Sequence, residues 1–175
     1  MHLTFRELDP SDAPAASALS LESFERFVAP DWSPSASDEY RSLIASEVLT
    51  QKIEASSYTL GAFNGQRLVG FLLMPRTTLI QIFFIDPDWV RQGVGRRIWQ
   101  HARSHIETHF PDAKTIELNS SPYARDFYRR LGFVPISAEY QSSGFRATRM
   151  ACWLPARELG AELPQDGILS RPGKL

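Results

Sequence analysis

The run from Thr77 to Ile85 is almost continuously apolar, stops at Asp86-Pro87-Asp88, and is followed within a few residues by Gly93-Val94-Gly95 at the head of a helix-like segment. This juxtaposition constrains the fold more than any other feature. A strand without polar alternation is one covered on both faces. The segment from Gly93 to about Phe110 places Val94, Ile98, Ala102 and Ile106 on one helical stripe and Arg96, Arg103 and Glu107 on the other. A buried strand feeding a helix of this kind calls for a sheet with helices on its faces. The glycines also carry chemistry. They let successive backbone N–H groups face outward at the positive end of the helix dipole, forming a cradle for a diphosphate that Arg91 and Arg96 would reinforce. The alternative is a plain turn that needs glycine, since the segment is neither a Walker loop nor a full dinucleotide fingerprint.

The remaining elements fit that architecture. Leu3 to Arg6 alternates as a short strand, and Asp9-Pro10-Ser11-Asp12 supplies caps for a helix from about Ala13 to Val28. A second helix is expected from about Ser37 to Ala55, with Tyr40, Leu43, Ile44, Val48 and Ile53 as its apolar face. Tyr58 to Phe63 and Leu68 to Met74, joined at Asn64-Gly65, read as a β-hairpin. Thr115 to Asn119 is a strand, Ser121-Pro122 starts a helix with Ala124, Phe127, Tyr128 and Leu131 inward, and Gly132 caps it. Phe133 to Tyr140 and Phe145 to Trp153 read as closing strands joined near Ser142-Ser143-Gly144.

Length and charge set the outer limits. At 175 residues the chain suits one domain, with 43% hydrophobic and 22% charged residues. Nineteen basic against 20 acidic side chains leave a net charge of −1, which gives no footprint for coating nucleic acid or an anionic membrane. The single cysteine, Cys152, can form no internal disulfide and is too little for a Cys-built zinc site. The apolar runs are short of a membrane span and the first residues are polar, so a cytoplasmic location is expected.

The segment Ala124-Arg125-Asp126-Phe127-Tyr128-Arg129-Arg130-Leu131-Gly132-Phe133 follows the glycine loop by one strand and one helix. On these two motifs the chain resembles the GNAT superfamily of N-acetyltransferases. Gly93 and Gly95 match the family's Gln/Arg-x-x-Gly-x-Gly/Ala loop, although Val90 stands where Gln or Arg is usual, and the Ala-x-x-Phe-Tyr-x-x-Leu-Gly-Phe pattern is matched in full. The resemblance implies an α/β fold: a single domain over 1–154, with a mixed, mostly antiparallel sheet of about seven strands, splayed at a cofactor slot and carrying helices on both faces. Residues 155–175 form a tail rich in Pro and Gly, expected to pack across a neighbouring subunit in a homodimer.

The resemblance further implies transfer of an acetyl group from acetyl-CoA to a primary amine by direct attack. The pantetheine arm would pair with Phe83, Phe84 and Ile85, and the pyrophosphate would sit on Arg91, Gln92, Gly93, Val94, Gly95 and Arg96. Asn119 would bond the arm or cap its strand, Phe127 would line the slot, and Tyr128 would protonate the departing sulfur. The acceptor is a small-molecule or peptide amine, with Phe27 and Trp32 in its pocket or merely covering the sheet beside Phe24 and Tyr40. The general base is not identifiable; Glu117 is the nearest candidate, and an ion-paired role suits it better. His101, His105 and His109 recur every fourth residue without a carboxylate or thiol to complete a metal set, so no metal is expected. The rival from another class is a CoA-binding sensor or partner-binding module that kept the slot and lost turnover.

Overall fold

A computed structural model of the chain describes residues 2–154. The tail and its expected role in a homodimer lie outside them. In chain order the elements are β1 (Thr4–Arg6), α1 (Ala13–Phe27), α2 (Pro34–Leu43), α3 (Ser46–Ala55), β2 (Tyr58–Asn64), β3 (Arg67–Met74), β4 (Leu79–Ile80), β5 (Ile82–Ile85), α4 (Val94–His109), β6 (Thr115–Ser120), α5 (Arg125–Arg130), β7 (Val134–Pro135), β8 (Tyr140–Ser142) and β9 (Phe145–Trp153).

The strands form two sheets. One runs β1-β2-β3-β5, antiparallel throughout; the other runs β4-β6-β9-β7, with β8 also on β9. The pair β4/β6 is parallel, and β6/β9, β7/β9 and β8/β9 are antiparallel. The hairpin forms with Gly65 and Gln66 as its two loop residues, one position later than Asn-Gly predicts. Gly65 takes φ +61°, the positive value that the first loop position of such a turn favours.

Among the described residues nine strands stand where about seven are expected, because two expected strands are each broken. The run from Thr77 to Ile85 changes partners at Gln81. Leu79 and Ile80 pair with β6, whereas Ile82 to Ile85 pair with β3. Phe133 to Tyr140 is interrupted after Pro135. There the Ser137 hydroxyl accepts from Arg149 N at 3.1 Å, so a side chain replaces a rung of the ladder.

The expected helix from Ser37 to Ala55 is likewise two helices, separated at Ala45, whose backbone is extended (φ −60°, ψ 149°). The apolar spacing explains the break. From Ile44 to Leu49 is five residues, about 140° out of phase on a helical wheel of ~100° per residue, yet both side chains are fully buried. A break restores the phase. Leu43, expected on the inner face, is 41% exposed.

Helices cover both faces. Val94, Ile98, Ala102 and Ile106 of α4 are wholly buried against Leu72, Met74, Ile116 and Met150. Each such large aliphatic side chain contributes about 1.5–3 kcal/mol. On the opposite face α1, α2 and α3 pack Phe24, Ile44 and Leu49 onto Phe71 and Leu73. The strand β3 serves both layers through its period-two alternation. His101, His105 and His109 line the edge of this packing as aromatic surfaces. His101 stacks on Phe5 at 4.3 Å, His105 on Tyr58 at 4.0 Å, and His109 on His105 at 4.3 Å. Among the described residues no helix is long and apolar enough to cross a membrane.

Burial of Tyr58, with the Glu7 charge adding to it, pushes its phenol from 10.0 up to about 12. The unfolded chain therefore gives up this proton first as pH rises, and stability falls from pH 10 to about 12. Melting temperatures measured across that window are expected to drop for the wild type and to drop less steeply for Tyr58→Phe. Equal slopes would contradict the assignment.

Candidate active site

The change of partners at Gln81 opens the structure. Glu117 and Leu118 hold β4 on one side of β6, but Asn119 and Ser120 have only β9. On its other bank β5 is bonded to β3, and among the described residues no strand follows on its free edge. A cavity of about 530 Å³ occupies the gap. Phe83 and Phe84 are successive strand residues that point to opposite faces, yet both line it, as do Tyr128 from one helical layer and Tyr40 from the other. The cavity therefore wraps around the open edge of β5.

The head of α4 lies at the end of β5. The buried Asp86 fixes the turn between them by accepting from Asp88 N at 2.9 Å and from Arg67 Nη2 at 2.7 Å. Arg91 and Gly93 both have positive φ, +65° and +81°. No side chain caps α4, so its first backbone N–H groups have no partner within the helix. Arg91 and Arg96 are exposed, and neither is paired with a carboxylate among the described residues. Gln92 turns away, its Nε2 donating to Asp88 O at 2.7 Å. The two glycines have different roles. A Cβ on Gly93 would meet open space, whereas one on Gly95 would stand 2.8 Å from the Phe127 ring. Gly95 thus lets α5 pack against α4, whereas Gly93 supplies the positive φ from which α4 starts. These groups fit a diphosphate, and the free edge at Phe83 and Phe84 fits an extended amide chain. The Ile85 carbonyl is already engaged by the Ser23 hydroxyl at 2.5 Å.

Tyr128 is buried in the cavity wall, and its hydroxyl has no hydrogen-bond partner among the described residues. Burial, and then the neighbouring Tyr40, push its phenol well above the ordinary range, so it stays protonated at neutral pH. Asn119 lines the same cavity and accepts from the Tyr140 hydroxyl at 3.3 Å. Glu117 does not line the cavity and is paired with Arg149 at 2.8 Å. Trp32 lines the cavity, its Nε1 donating to Arg146 O at 3.1 Å. Phe27 does not line it; its ring stacks on Tyr123 at 4.6 Å.

The sequence pattern described as an acetyltransferase (GNAT) domain matches residues 28–154. The chain belongs to the GNAT acetyltransferase family. The UPF0039 protein C11D3.02c of Schizosaccharomyces pombe is 31% identical over 90 residues, which cover 50% of this chain and 60% of that protein. The chain thus spans 60% of that relative's length. Among solved structures, the GCN5-related N-acetyltransferase of Rhodopseudomonas palustris superposes with a TM-score of 0.77 at 20% identity, covering 88% of this chain and 97% of that one. The PaiA N-acetyltransferase of Thermoplasma acidophilum, solved in complex with coenzyme A, superposes with a TM-score of 0.73 at 18% identity, covering 88% and 100%. At these identities the superpositions show the GNAT fold.

On this GNAT frame several lining residues carry no local signal in the sequence. Glu39, Tyr140 and Phe145 reach the cavity because tertiary contacts place α2 and the β8–β9 hairpin over it, and Gln81 reaches it at the crossing from β4 to β5. The hairpin turn has positive φ at Ser143 and Gly144, +48° and +86°. Gly144 O accepts from Ser33 N at 3.2 Å, and Ser33 caps α2 through its hydroxyl. A Cβ on Gly144 would fall 2.0 Å from Ser33 Oγ. Gly144→Ala is therefore expected to cost about 1–2 kcal/mol through its left-handed backbone alone, with more from the lost contact. Urea unfolding of the two proteins measures it, and equal midpoints would show that the turn does not hold α2.

Proposed function

We propose that the protein is an N-acetyltransferase that moves an acetyl group from acetyl-CoA directly to a primary amine in a ternary complex. One juxtaposition carries this reading: the open edge of β5 and the buried phenol of Tyr128 line one cavity, and the uncapped head of α4 follows β5 after a short turn. Support comes from the family and from the similar PaiA enzyme, whose structure holds coenzyme A.

Bound acetyl-CoA supplies an activated thioester. The backbone of Phe83 and Phe84 would hold its extended arm as an added strand. The N–H groups from Gly93 onward, with Arg91 and Arg96, would hold its diphosphate. Attack by the amine forms a C–N bond and breaks the C–S bond. Tyr128 donates its proton to the departing sulfur. An acceptor ammonium gives up two protons in all: one replaces that of Tyr128, and the other leaves to solvent.

Tyr128→Phe removes only the hydroxyl. Turnover is expected to fall by about a hundredfold or more, with acetyl-CoA affinity by calorimetry nearly unchanged. Wild-type turnover in a folded Tyr128→Phe sample would refute the acid role. Release of free CoA over an amine panel tests the wider reading. Tight acetyl-CoA binding with no release on any amine would identify a CoA-binding sensor instead.

A further inference from the structure

We propose that the acceptor is a primary ammonium carried on an aromatic or alkyl body and bearing no acidic group, an inference that rests on the transfer reading above. The same cavity is walled, beside Tyr128 and Asn119, by Trp32, Tyr40, Leu43, Tyr140 and Phe145. These rings hold one another in place. Trp32 meets Tyr40 edge-on at 5.3 Å and Phe145 at 4.8 Å, and Tyr40 packs on the buried Phe24 at 4.7 Å. Such a wall presents ring faces to a cation and apolar surface to its body.

Charge gives the selectivity. Among the described residues lining the cavity, Glu39 alone carries a formal charge, and it sits at the exposed end. The cations nearby in the chain are committed elsewhere. Arg41 pairs with Glu25 and Asp38, and Arg146 pairs with Glu139 and Asp31. An ammonium gains a carboxylate and aromatic faces here. A carboxylate on the acceptor would lose water, face Glu39 and find no positive partner. At about 530 Å³ the cavity is of small-molecule size.

The deciding comparison is 2-phenylethylamine against phenylalanine, which share the ring and the amine and differ by one carboxylate. Free-CoA release is expected to give 2-phenylethylamine a kcat/KM about a hundredfold higher or more. Glu39→Gln should raise its KM about tenfold while acetyl-CoA affinity stays the same, and Glu39→Lys should shift preference toward phenylalanine. Equal use of the two acceptors, or an unchanged KM in Glu39→Gln, would overturn the assignment. Calorimetry with each ligand alone separates the two levels. Binding of 2-phenylethylamine without any acetyl-CoA binding keeps the pocket assignment and ends the transfer reading. Acetyl-CoA binding with turnover of acidic amines only does the reverse.

Discussion

The hand-over at Gln81 is the constraint on which the site depends. Gln81 N donates to Leu73 O at 3.0 Å, so the chain is already bound to β3 one residue after Ile80 has left β6. A backbone group can serve only one ladder at a time, and the two partner strands diverge. The result is a strand with an unsatisfied edge in the middle of a domain, which a closed sheet would never leave. That edge is costly unless something pairs with it, and an extended amide chain is the natural complement. The cavity, its access to both faces, and the meeting of Tyr40 and Tyr128 all follow from this one switch.

Around the gap the fold divides labour between the layers. The layer holding α4 and α5 is closely packed: its helices touch at Gly95 and Phe127, and Trp99 donates to the Leu131 carbonyl at 3.2 Å. In the proposed reaction it carries the groups that would bind the diphosphate and supply the proton. The opposite wall is assembled from the end of α1, α2 and the β8–β9 turn, joined through Ser33, Gly144 and the Trp32 contact to Arg146. Its contacts join segments far apart in sequence, through the backbone bond from Ser33 to Gly144 and the Trp32 indole on the Arg146 carbonyl.

How much of this was legible in the sequence depends on where the signal is local. The α4 stripe, the hairpin and the Gly132 cap are visible because spacing or a positive φ demands them. The break between α2 and α3 hid behind a roughly helical pattern, and only the phase slip between Ile44 and Leu49 betrays it. The change of partners at Gln81 was illegible, since an apolar run looks the same whether it stays in one sheet or crosses between two. Trp32 and Phe27, five residues apart in a common aromatic cluster, could not be told apart by type; the turn after α1 sends one into the cavity and leaves the other on Tyr123. Glu39 had no marker at all, because a carboxylate beside an aromatic residue on a helix is ordinary until the fold shows what it overlooks.

The two glycines of the α4 loop show why a motif needs its geometry. Spacing alone gives them one role, the close approach of a diphosphate. In the structure the positive φ belongs to Gly93, and the missing side chain that matters for packing belongs to Gly95, under the ring of Phe127. Phe127 lies next to Tyr128 in α5, so the contact at Gly95 also sets the height at which the phenol enters the cavity. A larger residue at Gly95 would push α5 away from the head of α4 and move Tyr128 with it. The spacing of the motif thus couples the site that would hold the diphosphate to the group that would complete the chemistry.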